Sequence, residues 1–224
     1  MNRLDDCDTG RVTEDLQVPV PEWRQKEADY IAAKYGESYY TKYKMHEGVE
    51  YVGQDNIPEM YLNKTWRPNL SVTGAEGLPP IASAGNVLRP KTTLRCSMRL
   101  CPVFDAHKAE EIITEKLSTN VPYNAKVSVH GGHAGNGWCQ KQLSEWLHNS
   151  LNEAGRAFFD GKDYGSFGEG GSIPFLNELQ KKYPDTQIVA LGVVGPGANI
   201  HGPNENINLV FAKKMVKTLA HVIG

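Results

Sequence analysis

The pattern of apolar and polar positions changes character twice along this chain. Residues 1–60 are polar and hold no sustained period, apart from a segment at 22–34 that predicts one helix; Pro19 and Pro21 precede it and Gly36 is placed to end it. From Trp66 the period becomes two. Trp66, Leu70 and Val72 fall on one face, with Asn69, Ser71 and Thr73 on the other. After a loop rich in Gly and Pro, Leu94, Cys96, Met98 and Leu100 alternate with Thr93, Arg95, Ser97 and Arg99. Both runs predict half-buried antiparallel strands. Asp105 then caps a helix with the apolar stripe Ala106, Ala109, Ile112, Ile113 and Leu117. A third strand is expected next, with Ala125, Val127 and Val129 inward. Strand, strand, helix, strand is the last two-thirds of a ferredoxin-like βαββαβ unit.

The second change comes at the glycine-rich stretch HGGHAGNG, residues 130–137, which reads as a linker. Beyond it the period is helical: Leu143, Trp146, Leu147, Leu151, Ala154 and Phe158 form one stripe. GKDYGSFGEGGS leads into a second helix, with Ser172 as its N-cap and Pro174 in its first turn. QIVALGVV, residues 187–194, is apolar almost throughout, as a strand covered on both faces should be. The loop GPGANIHGPNEN and a final helix at about 206–222 close the chain. The expected class is α/β in two parts. Residues 1–131 would be an incomplete α+β lid, and residues 132–224 a piece of an α/β domain with one clear strand and so no complete sheet.

Composition narrows the function classes. A net charge of −2, with acidic and basic residues mixed along the chain, argues against a general nucleic-acid binder. The longest apolar run is far too short to cross a bilayer, and the first residues carry no apolar segment of a secretory signal. Cys7, Cys96, Cys101 and Cys139 show no close pairing and no zinc-ribbon spacing, which points to reduced thiols in a cytoplasmic protein.

Three places could carry chemistry. GEGGS sets flexible backbone before a helix N-terminus, where free N–H groups favour a carboxylate or oxyanion; it is equally an ordinary turn. His201 lies just past the end of the apolar strand, where open α/β sheets place ligands, although a lone loop histidine is more often a plain surface residue. Arg95 and Arg99 share the polar face of one strand, with Asn86 in the loop feeding it. A guanidinium on a strand suits bidentate capture of a carboxylate, and a solvated strand face is the plainer alternative. Other groupings carry less. Glu110 and Glu111 flank an apolar stripe beside His107 and read as exposed helix charges, while glycine spacers leave His130 and His133 unorganised.

Three segments together resemble a family. TWRPNLSVTGAEGLPPIASAGNVLRPKTTLRCSMRLCP is similar to the lid (dimerisation) domain of the dipeptidase-like branch of the dizinc metallopeptidases, the family of carnosine dipeptidases, aminoacylases, acetylornithine deacetylase and glutamate carboxypeptidases. GEGGSIPF resembles that branch's substrate-binding glycine loop, and GPGANIHGPNENI the loop that holds its last zinc ligand. The order and spacing of three motifs make the resemblance far more specific than any one of them.

The resemblance implies roles for single residues. His201 would ligate one zinc; Arg99 would clamp the substrate's free carboxylate, and Asn86 would help bind the same end or the scissile carbonyl. Gly171 and Ser172 would contact substrate, and Glu169 would shape that loop. In the family, two zinc ions share a water, a glutamate takes its proton, and the hydroxide attacks an amide carbonyl. The His-x-Asp pair, bridging Asp, Glu-Glu pair and further acidic ligand belong to a segment with no counterpart in these residues, so no catalytic residue is assigned. The expectation is therefore the C-terminal half of a zinc-dependent dipeptidase or amidohydrolase, inactive alone, acting on dipeptides or N-acyl amino acids. Its partners would be the missing N-terminal half and a second copy bound through the lid. The alternative is a non-catalytic module that dimerises or binds a carboxylate.

Overall fold

In the computed structural model, which describes residues 1–42, 45–53, 55–169 and 173–224 (of 37 and 39–42 the backbone alone), the two period-two runs pair as an antiparallel hairpin. Its strands are β1 (Asn69–Glu76) and β2 (Thr93–Arg99). The register runs from Asn69 opposite Arg99 to Glu76 opposite Thr93, with a bulge between Val72 and Gly74. The bulge has a consequence for the faces. Leu70, Val72 and Ala75 oppose Met98, Cys96 and Leu94, so one extra residue keeps Ala75 on the apolar side, where strict alternation would have put Gly74.

The chain divides into two compact units. The first comprises Met1–Lys34, Glu50–Trp138 and Glu169–Asn177. Its core forms where the hairpin's apolar face meets α3 (Ala106–Ser118) and the N-terminal segment. Val12, Leu16 and Ala109 are buried, with Leu70, Met98, Leu100, Ile112 and Ile113 packed against them. Asp105 caps α3 as the sequence predicts, accepting the Lys108 N–H at 2.8 Å. The Asn136 side chain accepts the Ala106 N–H at 2.8 Å, so the glycine-rich stretch docks on the start of α3. Gly137 is required there, because a Cβ would lie 2.6 Å from Pro102 Cα.

Two elements depart from the sequence reading in this part of the chain. The first helix, α1 (Glu22–Lys42), continues through Gly36. An interior glycine costs about 1 kcal/mol but keeps its N–H, and Gly36 is not in the left-handed region that ends helices. A further helix, α2 (Ile57–Thr65), occupies sequence read as irregular. Asn56 caps it by accepting the Glu59 N–H at 3.1 Å, and Pro58 sits in its first turn. It buries Met60, Tyr61 and Leu62; Trp66 follows, donating its indole N–H to the Val18 carbonyl at 3.1 Å.

The second unit comprises Tyr35–Val49, Cys139–Gly168 and Glu178–Gly224. Here α4 (Glu145–Phe158) packs against α6 (Leu209–Ile223), with Phe159 edge-on to Phe211 at 5.6 Å and Phe158 near His221. Leu147, Leu151 and Ala154 are buried as their stripe predicts, whereas Trp146 stands 61% exposed. Asn208 caps α6, accepting the Val210 and Phe211 N–H groups. In sequence, α5 (Pro174–Lys182) follows α4 and begins in the first unit; Pro174 takes the predicted first-turn position, and the predicted cap Ser172 lies outside the described residues.

Neither of the other two expected strands forms. Residues 125–129 and 187–194 carry no ladder, and β1 and β2 make up the sheet among the described residues. The reason is pairing. The last strand of a ferredoxin-like unit lies beside its first, and no described residue forms that first strand. Residues 187–194, apolar enough for a buried parallel strand, have no paired strand beside them among the described residues. Their start is held instead by Gln140, which donates to the Ile188 carbonyl at 3.1 Å, and by Gln187, which accepts the Ser144 N–H at 2.7 Å. The class remains mixed α/β. Among the described residues no helix is long and apolar enough to cross a membrane.

Candidate functional site

In the first unit, Arg99 is the last residue of β2, because the strand ends where Leu100, Cys101 and Pro102 turn the chain toward α3. Its side chain is exposed and makes no hydrogen bond or ion pair with a described residue. Asn86 is exposed in the hairpin loop, past the far end of the ladder. The ladder between Arg99 and that end spans about 20 Å. No hydrogen bond joins the two side chains.

Glu169 forms an ion pair with Lys64 at 2.7 Å. Lys64 lies near the end of α2, which is well anchored by its buried Tyr61 and Leu62 and by Trp66. Sequence reasoning does not find this contact, since nothing near either residue signals it. On the far side of the loop, Pro174 packs against Gly135, where a Cβ would lie 3.4 Å from its ring. Gly171 and Ser172 lie outside the described residues.

In the second unit, His201 sits in a turn held by its own polar groups. Asn206 donates its N–H to the Ala198 carbonyl at 2.9 Å and its side-chain amide to the Gly197 carbonyl at 3.0 Å. Asn199 reaches the Pro203 carbonyl. Asn199, His201 and Asn204 all have positive φ (51°, 60° and 59°), as does Gly197 at 78°. Asparagine tolerates that region and histidine is enriched there among non-glycine residues, so the backbone presents the His201 imidazole on the outside of a tight turn. The His201 N–H points to Glu205 Oε2 at 3.4 Å. Glu205 also lines an open recess of 260 Å³ with Val193, Val194, Asn206 and Ile207. It stands four residues from His201, and the sequence reading overlooked it.

The clear ionisation shifts fall on other groups. Thr9 lowers Asp6, Lys116 lowers Asp15, and Asp163 raises Arg156. As a metal centre the arrangement is incomplete: among the described residues no three His, Cys, Asp or Glu side chains converge, His130 and His133 included. One exposed imidazole does not close a zinc site.

No family model matches the chain. Its sequence is 27% identical, over 168 residues, to a cysteinylglycine-S-conjugate dipeptidase from Corynebacterium striatum, covering 72% of this chain and 35% of that protein. It is 28% identical over 159 residues to the Cys-Gly metallodipeptidase DUG1 of Candida albicans, covering 66% of this chain and 31% of that one. Among solved structures, the M20 family metallo-carboxypeptidase Sso-CP2 from Sulfolobus solfataricus superposes with a TM-score of 0.73 at 18% identity, over 99% of this chain and 49% of that one. Human carnosine dipeptidase 1 gives a TM-score of 0.71 at 20% identity, over 99% and 46%. The chain thus spans about a third of the curated relatives and about half of the solved ones. It is similar in sequence to the two dipeptidases and shares the fold of the solved metallopeptidases over nearly its whole length.

Proposed function

We propose that this chain supplies the carboxylate-recognition elements and one metal ligand of a zinc-dependent dipeptidase or amidohydrolase. The supporting observation is Arg99: an exposed guanidinium fixed at the end of a paired strand, with no ionic partner among the described residues. Such a group binds a carboxylate bidentately. Arg99 then acts as a length filter, because a longer C-terminal extension would carry the carboxylate out of reach. Substrates are dipeptides or N-acyl amino acids with a free carboxylate. Asn86, Gly171 and Ser172 assist that binding, Glu169 shapes the glycine loop with Lys64, and His201 gives one imidazole to a zinc whose other ligands come from elsewhere. Residues 1–131 serve as lid and dimerisation surface, and 132–224 as part of the catalytic domain.

Two measurements test this. Titrating the chain with N-acetylalanine and with N-acetylalaninamide should show binding of the carboxylate only, weakened about tenfold in Arg99→Gln. Equal binding of acid and amide overturns the role of Arg99. Purified 1–224 should show no zinc-dependent hydrolysis of a dipeptide, and measurable turnover would refute its dependence on further ligands. A carboxylate-binding module without hydrolysis is the competing reading. The nucleotide sequence before the Met1 codon separates the two, since in-frame His-x-Asp and Glu-Glu motifs belong only to the enzyme.

A further inference from the structure

The polar face of the β-hairpin holds more than Arg99. Residues opposite one another across an antiparallel ladder share a face. The register therefore places Arg99 with Asn69, Ser97 with Ser71, Arg95 with Gly74, and Thr93 with Glu76 on this side. Two arginines stand at the ends of a floor made of the smallest side chains. Gly74 contributes no side chain opposite Arg95, and a Cβ there would make an ordinary 3.5 Å contact with Arg95 Cβ. Ser71 donates to Asn69 Oδ1 at 3.2 Å, and the Ser97 hydroxyl has no partner among the described residues. Arg95, like Arg99, is exposed and makes no side-chain hydrogen bond or ion pair with a described residue. Glu76 shares the face beyond Arg95 and forms no ion pair with it.

We propose that Arg95 is a specificity-determining residue that binds a second carboxylate, so that this face favours ligands whose carboxyl-terminal residue has an acidic side chain. The inference rests on reading Arg99 as the clamp for the first carboxylate. Four residues of strand separate the two Cα atoms by about 13 Å, and an extended arginine side chain reaches roughly half that span. Two guanidinium groups can thus close on one small dicarboxylate lying over Ser71 and Ser97. An isolated exposed charge contributes little, whereas paired fork-like donors on a rigid strand fix both the charge and the spacing of what they bind.

The test uses residues 1–224 and three ligands: N-acetylglutamate, its isostere N-acetylglutamine with an uncharged side chain, and the shorter N-acetylalanine. Arginine Nε–Hε resonances report binding at each guanidinium. The chain should prefer N-acetylglutamate over N-acetylglutamine by about tenfold, Arg95→Gln should abolish that preference, and Arg95→Lys should keep part of it. Affinity for N-acetylalanine should be unchanged in Arg95→Gln, which distinguishes lost recognition from lost fold. Glu76→Gln should raise N-acetylglutamate affinity by about twofold. A preference that survives Arg95→Gln, or no preference in the parent chain, overturns the proposal. Arg99→Gln separates the two readings: it should weaken all three ligands alike, and if it weakens none the clamp assignment fails independently of Arg95.

Discussion

The helices α3 and α6 carry apolar stripes of similar quality and are both capped by a side chain that accepts first-turn N–H groups. They differ in what covers them. In the first unit, α3 lies against the hairpin and the N-terminal segment, leaving Ala106 and Ala109 at 4% and 1% exposure. In the second, α6 rests on α4 along one side, while Leu209, Val210, Val216 and Ile223 remain 66–83% exposed. A stripe and a cap are local properties. Burial requires a second surface, and each aliphatic side chain left in water forgoes about 1.5–3 kcal/mol. The same contrast divides the strands: β1 and β2 form because each supplies the other's edge, and 187–194 stays outside any ladder although it is more apolar than either.

The contrast can be broken by cutting equivalent side chains. Leu16 is fully buried against Val12 and Ala109, so Leu16→Ala should cost about 3 kcal/mol, the transfer loss plus a cavity. Val216→Ala on α6 should change stability by less than about 0.5 kcal/mol. Urea unfolding followed by circular dichroism and tryptophan fluorescence measures both, and equal costs would mean that α6 is covered in solution. The glycines sharpen the comparison at the next magnitude. A Cβ on Gly137 would meet Pro102 Cα at 2.6 Å, and one on Gly155 would meet the Lys162 carbonyl oxygen at 2.6 Å. Gly137→Ala and Gly155→Ala should each cost about 2 kcal/mol, because the obstacle in both is backbone. If only Gly137→Ala is costly, the segment after α4 yields and the second unit is looser than its local geometry implies.

How far the sequence was legible follows the range of each determinant. Period two located β1 and β2, and Asp105 with the alanine–isoleucine stripe located α3, because those signals lie within a few residues of what they specify. The same kind of signal marks α2, where Asn56, Pro58 and Glu59 form a cap and first turn, but its nine residues are too few for a stripe to stand out. The bulge at Thr73 could not be read, since alternation continues in composition while the register shifts. Apolarity alone called for strands at 125–129 and 187–194, and the deciding quantity, a neighbouring edge, is absent from any short window. For the candidate site, the placement of Arg99 at a strand end and His201 in a loop was legible. The Lys64–Glu169 ion pair was not, because its partners lie far apart along the chain; nor were the left-handed backbone at His201 and the length of ladder between Asn86 and Arg99, which depend on turn hydrogen bonds and strand register that composition does not display.

Caps give the third comparison. Asp105→Ala should destabilise by about 1 kcal/mol, and Asn136→Ala, which removes the acceptor of the Ala106 N–H, by a similar amount. Asn208→Ala should instead fray α6 locally, visible as faster amide exchange at Val210 and Phe211 with little change in global unfolding. A global loss at Asn208 matching that at Asp105 would show that α6 contributes to the cooperative core.

The smallest effect is electrostatic and concerns how the N-terminal segment is pinned to α3. Asp15 accepts from Lys116 Nζ at 2.5 Å, with side-chain exposures of 56% and 30%. The hydrogen bond and charge of Lys116 hold the Asp15 carboxyl below its usual value. A depressed carboxylate contributes stability that is present above its unfolded value and lost as pH falls through the folded one, so this contribution should disappear only in acid. Because Asp15 faces solvent, salt and water screen the pair and the effect on unfolding should be slight. The carboxyl ¹³C titration is the sharper measurement. Lys116→Ala should raise Asp15 most of the way to its usual range, with Thr13 still lowering it slightly, and 1 M salt should move it part of the way (a Debye length of about 3 Å). An unshifted Asp15 in the parent chain would mean that this contact does not hold the segment, leaving the burial of Leu16 and Val12 and the Arg3 contacts with the Lys116, Thr119 and Asn120 carbonyls to fix it.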